Sequence, residues 1–121
     1  MVTIHTIQDS QEGARAAAQK VTEILRSHTA TPILFLVSGG STIPMLEEID
    51  ESVFGPHVTV VVLDERFSAE IAVNNFLQLK GQPMYEKMKR AGVVFISTVP
   101  DMQDSLESFA EKYEKSLKQW K

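Results

Sequence analysis

The hydrophobic positions of the chain form two kinds of pattern. Continuous apolar runs at residues 33–37 and 58–63 are typical of strands that are buried on both faces of a parallel sheet. Residues 93–96 form a shorter run, and residues 2–7 alternate apolar with polar side chains, as an edge or half-buried strand does. These patterns predict four short strands.

Apolar residues at helical spacing separate the predicted strands. The first helix is expected behind Asp9, which stands three residues before Glu12 in a capping-box pattern. A short helix is expected after residue 42, and residues 74–90 predict one or two helices that break near Gly81. A final helix opens near Asp104 with one apolar face, and the spacing of Phe109, Tyr113 and Trp120 predicts a core stripe. The face comprises Leu106, Phe109, Ala110, Tyr113, Leu117 and Trp120.

Strands that alternate with helices predict an α/β fold with a doubly wound, mainly parallel sheet. No repeat or linker divides the sequence, so residues 1–121 are expected to form one domain. Ligands of such sheets bind beyond the carboxyl ends of the strands. Two polar clusters fall there, residues 38–42 after one predicted strand and residues 64–66 after the next.

Composition and charge exclude several classes of function. Twelve basic against sixteen acidic residues give a net charge of −4, which argues against nucleic acid and against an anionic membrane as partners. The chain has no cysteine, so disulfides, thiolate catalysis and zinc–sulfur sites are ruled out. Neither a signal peptide nor a membrane-spanning apolar run occurs, and we expect a cytoplasmic protein that needs no metal and no cofactor.

The first polar cluster reads Ser38-Gly39-Gly40-Ser41-Thr42. Two glycines let the backbone turn sharply and let an oxyanion approach without a Cβ in the way, and the hydroxyl groups supply donors. No lysine follows the glycines, so the segment is not a Walker A loop. The residues alone support two readings: a cradle for phosphate or carboxylate, or a tight turn in which a hydroxyl only caps the next helix.

The second polar cluster reads Asp64-Glu65-Arg66. A carboxylate at the end of a strand can move a proton, and the adjacent arginine can clamp an oxyanion; a solvated surface ion pair is the alternative. Asn74 and Asn75 follow, either to cap the next helix or to reach sugar hydroxyls. The three histidines, His5, His28 and His57, show no ligand-like spacing and are expected to be structural or surface residues.

Together these segments resemble the 6-phosphogluconolactonase and glucosamine-6-phosphate deaminase (isomerase) family. Residues 36–44, Leu-Val-Ser-Gly-Gly-Ser-Thr-Ile-Pro, resemble the family's glycine-rich phosphate loop. Residues 62–66, Val-Leu-Asp-Glu-Arg, followed by Val-Asn-Asn at 73–75, resemble the lactonase signature, although the signature's serine is replaced here. The resemblance implies a Rossmann-like three-layer sandwich, and it covers only the first half of the family pattern, as though truncated.

By that resemblance, the substrate phosphate is held by Arg66 and by the loop residues Ser38, Gly39, Gly40, Ser41 and Thr42. Asp64 would lie at the reacting end of the sugar as the catalytic carboxylate, and Asn75 would contact the substrate. The implied activity is a 6-phosphogluconolactonase-like hydrolysis of a sugar-phosphate lactone, in the pentose phosphate pathway of carbohydrate metabolism. The alternatives are a glucosamine-6-phosphate deaminase or isomerase, and a non-catalytic module that binds sugar phosphates.

The family's water-activating histidine follows a later strand, in an Asp-Gly-His segment that this sequence does not contain. A general acid or base contributes about 100- to 10,000-fold in rate, so its absence should spare binding far more than turnover. The resemblance therefore implies a hexose phosphate as the small-molecule partner. A shortened sheet would also leave a free strand edge, which predicts pairing with a second copy or with a complementing second half.

Overall fold

The computed structural model of the chain describes residues 2–4, 6–40 and 42–120. Its sheet has three parallel strands, β1 (Ile33–Val37), β2 (Val58–Val62) and β3 (Val94–Ile96), in the order β1-β2-β3. The mixed α/β architecture with a parallel sheet agrees with the sequence prediction. Because the strands run in one direction, their carboxyl ends share one edge of the sheet, where both polar clusters begin.

Five α-helices accompany the strands in the described part of the chain. Asp9 caps the first helix by accepting a hydrogen bond from the Glu12 backbone N–H at 2.7 Å, as predicted. The predicted break near Gly81 is also found, and Pro83 occupies the first position of the helix after it. No described helix has both the length and the apolar character to cross a membrane. The helices are α1 (Ser10–Arg26), α2 (Thr42–Met45), α3 (Asn75–Lys80), α4 (Pro83–Arg90) and α5 (Leu106–Gln119), with 3-10 turns at Leu46–Glu48 and Glu51–Val53.

One face of the sheet carries the hydrophobic core, and we call it the first face. The strand register places Val58, Val60 and Val62 on this face, since alternate residues of a strand point the same way. Helices α1, α3, α4 and the 3-10 turns pack against it. Buried side chains from these elements complete the core: Ala18, Leu25, Leu46, Ile49, Val53, Phe76, Leu79, Met84, Tyr85 and Met88.

The opposite face, the second face, is much less covered. Val61 at its centre is buried, but Leu36 beside it on β1 is 46% exposed, and Val94 on β3, which pairs with Thr59, is 51% exposed. None of the residues of α5 is buried, and Leu106 at its start is 63% exposed. The predicted core stripe of α5 is therefore wrong as a core assignment. Its aromatic residues are partly exposed because α5 makes few contacts with the strands.

The strand predicted at residues 2–7 is not present in the described residues of that segment. Val2 and Ile4 are each 87% exposed and belong to no helix or strand, and His5 lies outside the described residues. Ile7 instead approaches the start of α1, where its side chain fills the space beside Gly13. Alternation alone does not produce a strand when no neighbouring strand edge accepts its backbone hydrogen bonds.

Candidate functional site

The glycine-rich segment forms a turn directly after β1. Gly40 has a φ of +67°, a conformation that side chains disfavour, and the Ile43 N–H donates to the Gly40 carbonyl at 3.2 Å. The Ser38 and Thr42 hydroxyls share a hydrogen bond of 3.0 Å across the turn. A Cβ added to Gly40 would meet no atom within 4 Å, so the backbone here faces open space. Ser41, predicted as a phosphate ligand, lies outside the described residues.

Gly39 faces the protein rather than open space. A Cβ built on Gly39 would overlap the carboxamide of Asn75, which leads into α3. Pairing between β1 and β2 also continues one residue past the end of β2, because the Leu63 N–H donates to the Val37 carbonyl at 2.8 Å. The structure thus brings the glycine turn into contact with the first residue of α3, which in turn donates a hydrogen bond to the Asp64 carbonyl in the β2–α3 connection, the segment between β2 and α3. This is the adjacency that the positions of the two polar clusters predicted.

Asp64 is the only described residue other than glycine with a positive φ, at +61°. Such a conformation is uncommon for residues with a side chain, although aspartate tolerates it better than most, and it costs free energy that the surroundings must offset. The Asp64 backbone carbonyl accepts a hydrogen bond from Asn75 Nδ2 at 3.3 Å. Its exposed carboxylate has no hydrogen-bond or ion-pair partner among the described residues.

Arg66 is exposed as well. Its backbone N–H donates to Glu65 Oε1 at 2.8 Å, whereas its guanidinium group pairs with no carboxylate in the described part of the chain. The surface ion pair that served as the alternative reading is therefore not seen at this position. After β2, two residues apart, thus come one carboxylate and one guanidinium group without an ion-pair partner among the described residues.

Glu65 was missed as a site residue, and it is the most highly connected side chain of the region. Its Oε1 accepts hydrogen bonds from the N–H groups of Arg66 at 2.8 Å and Asn75 at 2.7 Å. Its Oε2 accepts from the Phe76 N–H at 2.9 Å and from the Thr98 hydroxyl at 2.6 Å. The carboxylate thereby satisfies the first N–H groups of α3 and links them to the end of β3.

Asn74 confirms the prediction that one of the two asparagines caps a helix. Its Oδ1 accepts from the Leu77 N–H at 2.9 Å at the start of α3. Its Nδ2 donates to the carbonyls of Ser68 at 2.9 Å and Thr98 at 3.0 Å, and the side chain is fully buried. Thr98 is therefore a second residue that the sequence reading missed. Its position just after the third apolar run was the signal that could have found it.

An apolar cleft of about 300 Å³ borders Asp64 and Glu65, with Leu63, Phe67, Phe109 and Tyr113 among its walls. The Tyr113 hydroxyl donates to the Val62 carbonyl at 3.0 Å, which attaches α5 to the end of β2. Burial raises the pKa of Tyr113, and the negative charge of Glu65 raises it further, so the phenol stays a donor at neutral pH.

A larger hollow of about 530 Å³ lies along α5, with Lys112 on its wall. Lys112 already forms ion pairs there, because its ammonium group lies 2.7 Å from Asp104 Oδ1 and 3.5 Å from Asp101 Oδ2. Lys115 also lines this hollow, but neither polar cluster identified in the sequence reaches it, so its larger volume does not make it the better candidate.

The histidines that the structure describes lie away from the carboxyl ends of the strands. His28 Nδ1 lies 2.8 Å from the Ile24 carbonyl at the end of α1. His57 precedes β2, so about 20 Å of extended chain separates it from Leu63 at the other end. No group of three or more histidine, aspartate or glutamate side chains within the described residues is arranged to hold a metal ion.

The short length of α2 changes one part of the sequence argument. With only four residues, α2 offers little of the aligned dipole that a long helix presents to an anion. An anion at the glycine turn would depend on backbone N–H groups, on the Ser38 and Thr42 hydroxyls and on Arg66. Such an anion would lie at the same edge of the sheet as the Asp64 carboxylate. Comparison with models of protein families, with curated proteins and with solved structures finds no match for this chain.

Proposed function

We propose that this chain binds a hexose phosphate at the carboxyl edge of its sheet, as a 6-phosphogluconolactonase-like protein. One observation carries the proposal: the glycine turn after β1 and the Asp64–Arg66 segment after β2 are in contact through Asn75. The contact links an open backbone turn to the segment that carries the Asp64 carboxylate and the Arg66 guanidinium group, neither of which forms an ion pair with another described residue. This combination suits a ligand with an anionic end and a polar reacting end.

The roles follow from which groups are free. Ser38, Thr42 and the open backbone at Gly40 would donate hydrogen bonds to the phosphate, and Arg66 would supply the positive charge. Ser41 would join them. Asp64 would lie beside the lactone end of the sugar, where a carboxylate can orient a water molecule for attack on the carbonyl carbon. Asn75 donates its Nδ2 to Asp64, so its Oδ1 is the atom left to accept from a sugar hydroxyl.

A non-catalytic module that binds sugar phosphates is the second candidate, favoured by the positions of the histidines. Neither His28 nor His57 is near the carboxyl ends of the strands, so no described imidazole can activate water there. Without such a base, turnover falls by a factor of about 100 to 10,000 while the phosphate contacts stay in place. A deaminase or isomerase acting on an amino-sugar phosphate differs in its product, because deamination releases ammonia and lactone opening releases an acid.

Calorimetric titration with 6-phosphogluconate and glucosamine 6-phosphate tests the binding proposal. Replacing Gly40 by valine should weaken binding at least about tenfold, since a β-branched residue cannot keep the turn's positive φ. Gly92→Val is the control for loss of a positive-φ glycine away from the site, because Gly92 precedes the amino end of β3; its side chain also meets Pro56, so the variant is first shown to be folded. Equal affinity of wild type and Gly40→Val, or equal losses in both variants, would refute the assignment.

Turnover of the lactone, followed as acid release in the same samples, separates the two candidates. Binding with acid release supports the hydrolase, and binding without it supports the non-catalytic module. Release of ammonia from glucosamine 6-phosphate would instead support the deaminase. Gluconate without its phosphate serves as the control ligand, and it should bind at least about tenfold more weakly because Arg66 and the turn lose their anion.

We also propose that the three strands belong to a larger Rossmann-like three-layer sandwich in which a further layer covers the second face. Support comes from two half-exposed side chains on this face, Leu36 beside the buried Val61 and Val94 beside the buried Thr59. A second copy or a complementing half of such a domain could supply this layer. Light scattering at several protein concentrations tests the second copy, and a monomer at every concentration would exclude it.

A further inference from the structure

Four hydrogen-bond donors from three segments converge on the carboxylate of Glu65. They come from its neighbour Arg66, from Asn75 and Phe76 at the start of α3, and from Thr98 after β3, at distances between 2.6 and 2.9 Å. Each oxygen accepts two of them. A carboxylate can accept at both oxygens, whereas the amide of a glutamine would present its N–H group to two of these donors. Glutamate is therefore the side chain that fits this position.

This network reaches the glycine turn through Asn75. The Asn75 backbone N–H is held by Glu65, and its Nδ2 donates to the Asp64 carbonyl at 3.3 Å. Its carboxamide occupies the space in which a side chain at Gly39 would lie. A displacement of Asn75 would consequently disturb two things at once: the turn after β1 and the left-handed conformation of Asp64.

We propose that Glu65 is a positioning residue for the anion site, and this inference rests on the proposed function. Its carboxylate fixes Asn75, and through Asn75 it sets the spacing between the glycine turn and Asp64. Glu65 itself needs no contact with the ligand, since all four hydrogen bonds to its oxygens come from the protein. The strained φ of Asp64 is offset in part by these bonds.

Whether ligand affinity rises or falls when the charge of Glu65 is removed distinguishes a positioning role from simple electrostatic repulsion. Glu65 carries a negative charge near the place where an anion would bind, so removing that charge should by itself strengthen binding. If Glu65 positions the turn, removing its charge weakens binding instead, because the backbone donors lose their arrangement. The two accounts predict opposite changes in affinity for one substitution.

The experiment compares Glu65→Gln with Glu47→Gln in calorimetric titrations with 6-phosphogluconate. Glu47 is a matched control, because its Oε2 accepts from the Met84 N–H at 2.9 Å at the start of α4, away from the glycine turn. We expect an affinity loss of about tenfold for Glu65→Gln, as for a lost bond to a charged group, and no change for Glu47→Gln. Unchanged or tighter binding by Glu65→Gln would overturn the proposal.

Amide resonances of the free protein keep the inference separate from the proposed function. In Glu65→Gln the amides of Gly39 and Asp64 should shift, and the Asp64 coupling constant should report a changed φ, whether or not any sugar phosphate binds. A wild type that binds no hexose phosphate, together with these shifts, removes the proposed function but leaves Glu65 holding the two segments. Unshifted amides refute the positioning role itself.

Thr98→Val is a second variant in case Glu65→Gln fails to fold. It removes one of the four donors and keeps the side-chain shape, so the fold should survive. We expect a smaller affinity loss than for Glu65→Gln and the same direction of shift at Gly39 and Asp64. A Thr98→Val protein with wild-type affinity and wild-type amide positions would contradict the proposal.

Discussion

The two faces of the sheet differ in how completely they are buried, although their strands are almost equally apolar. On the first face, Val60 is fully buried under α1, α3 and α4. On the second face, Leu36 and Val94 remain about half exposed, and no residue of α5 is buried. Apolar strand composition therefore shows that a face is suited to burial, whereas the neighbouring elements decide whether it is buried.

The helices on the first face and helix α5 are also attached to the sheet in different ways. The first face is held by a continuous set of apolar contacts, whose stabilisation grows with the buried area. Helix α5 depends on a few specific contacts: the Tyr113 hydroxyl on Val62, the rings of Phe67 and Phe109 at 5.7 Å, and the Asp104–Lys112 pair. We expect the first face to dominate the free energy of unfolding and α5 to open locally.

The largest expected effect is on the first face. Leu46→Ala should lower the free energy of unfolding by about 2–5 kcal/mol, because Leu46 is fully buried in the core and its loss leaves a cavity. Leu36→Ala is the matched substitution on the second face and should cost less than about 1 kcal/mol, since nearly half of Leu36 is already in water. Urea denaturation of both variants measures the contrast, and equal costs would break the comparison.

The next effect concerns the attachment of α5. Tyr113→Phe removes the hydroxyl that donates to the Val62 carbonyl and should cost about 1 kcal/mol. Hydrogen exchange of the α5 amides should rise, while exchange in α1 stays the same. Tyr85→Phe is the control, because no described hydrogen bond involves the Tyr85 hydroxyl. If α1 and α5 exchanged faster together in Tyr113→Phe, α5 would be part of the main cooperative unit.

The smallest effect is a pH dependence of the segment that leads into α5. Lys112, which donates to Asp104, and the Asp101 backbone N–H hold the pKa of Asp104 below its ordinary value. The pKa of an aspartate in an unfolded chain is about 3.9. The stabilisation by the Asp104 carboxylate is therefore fully present above that pH, and it is lost as the pH falls through the lower pKa of the folded state. Asp104→Asn should therefore destabilise α5 at pH 6, and its difference from wild type should shrink with acidification. Amide exchange between pH 6 and pH 3 measures this.

Local sequence signals predicted most of the elements on the first face. The runs at 33–37 and 58–63 became β1 and β2, and the break near Gly81 separates α3 from α4, because these features depend on a residue's own conformational preferences. The segment at residues 2–7 and the α5 stripe were predicted wrongly. Both depend on a partner surface, and the described residues provide none that buries them.

In the candidate site, too, the sequence identified some of the residues and missed others. The glycines and the Asp64–Arg66 triplet were identifiable because strand ends in a parallel sheet meet at one edge. The roles of Glu65 and Thr98 were not, because their hydrogen bond joins residues 33 positions apart in the chain. The positive φ of Asp64 was equally hidden, since nothing in its neighbours' side chains demands it.

The close approach of Gly39 to Asn75 restricts how this sequence can change. A side chain at position 39 needs the room that the asparagine fills, so it becomes acceptable only when position 75 becomes smaller. The two positions, far apart in the chain, should then vary as a pair, and the effects of substituting them together should not be the sum of the separate effects.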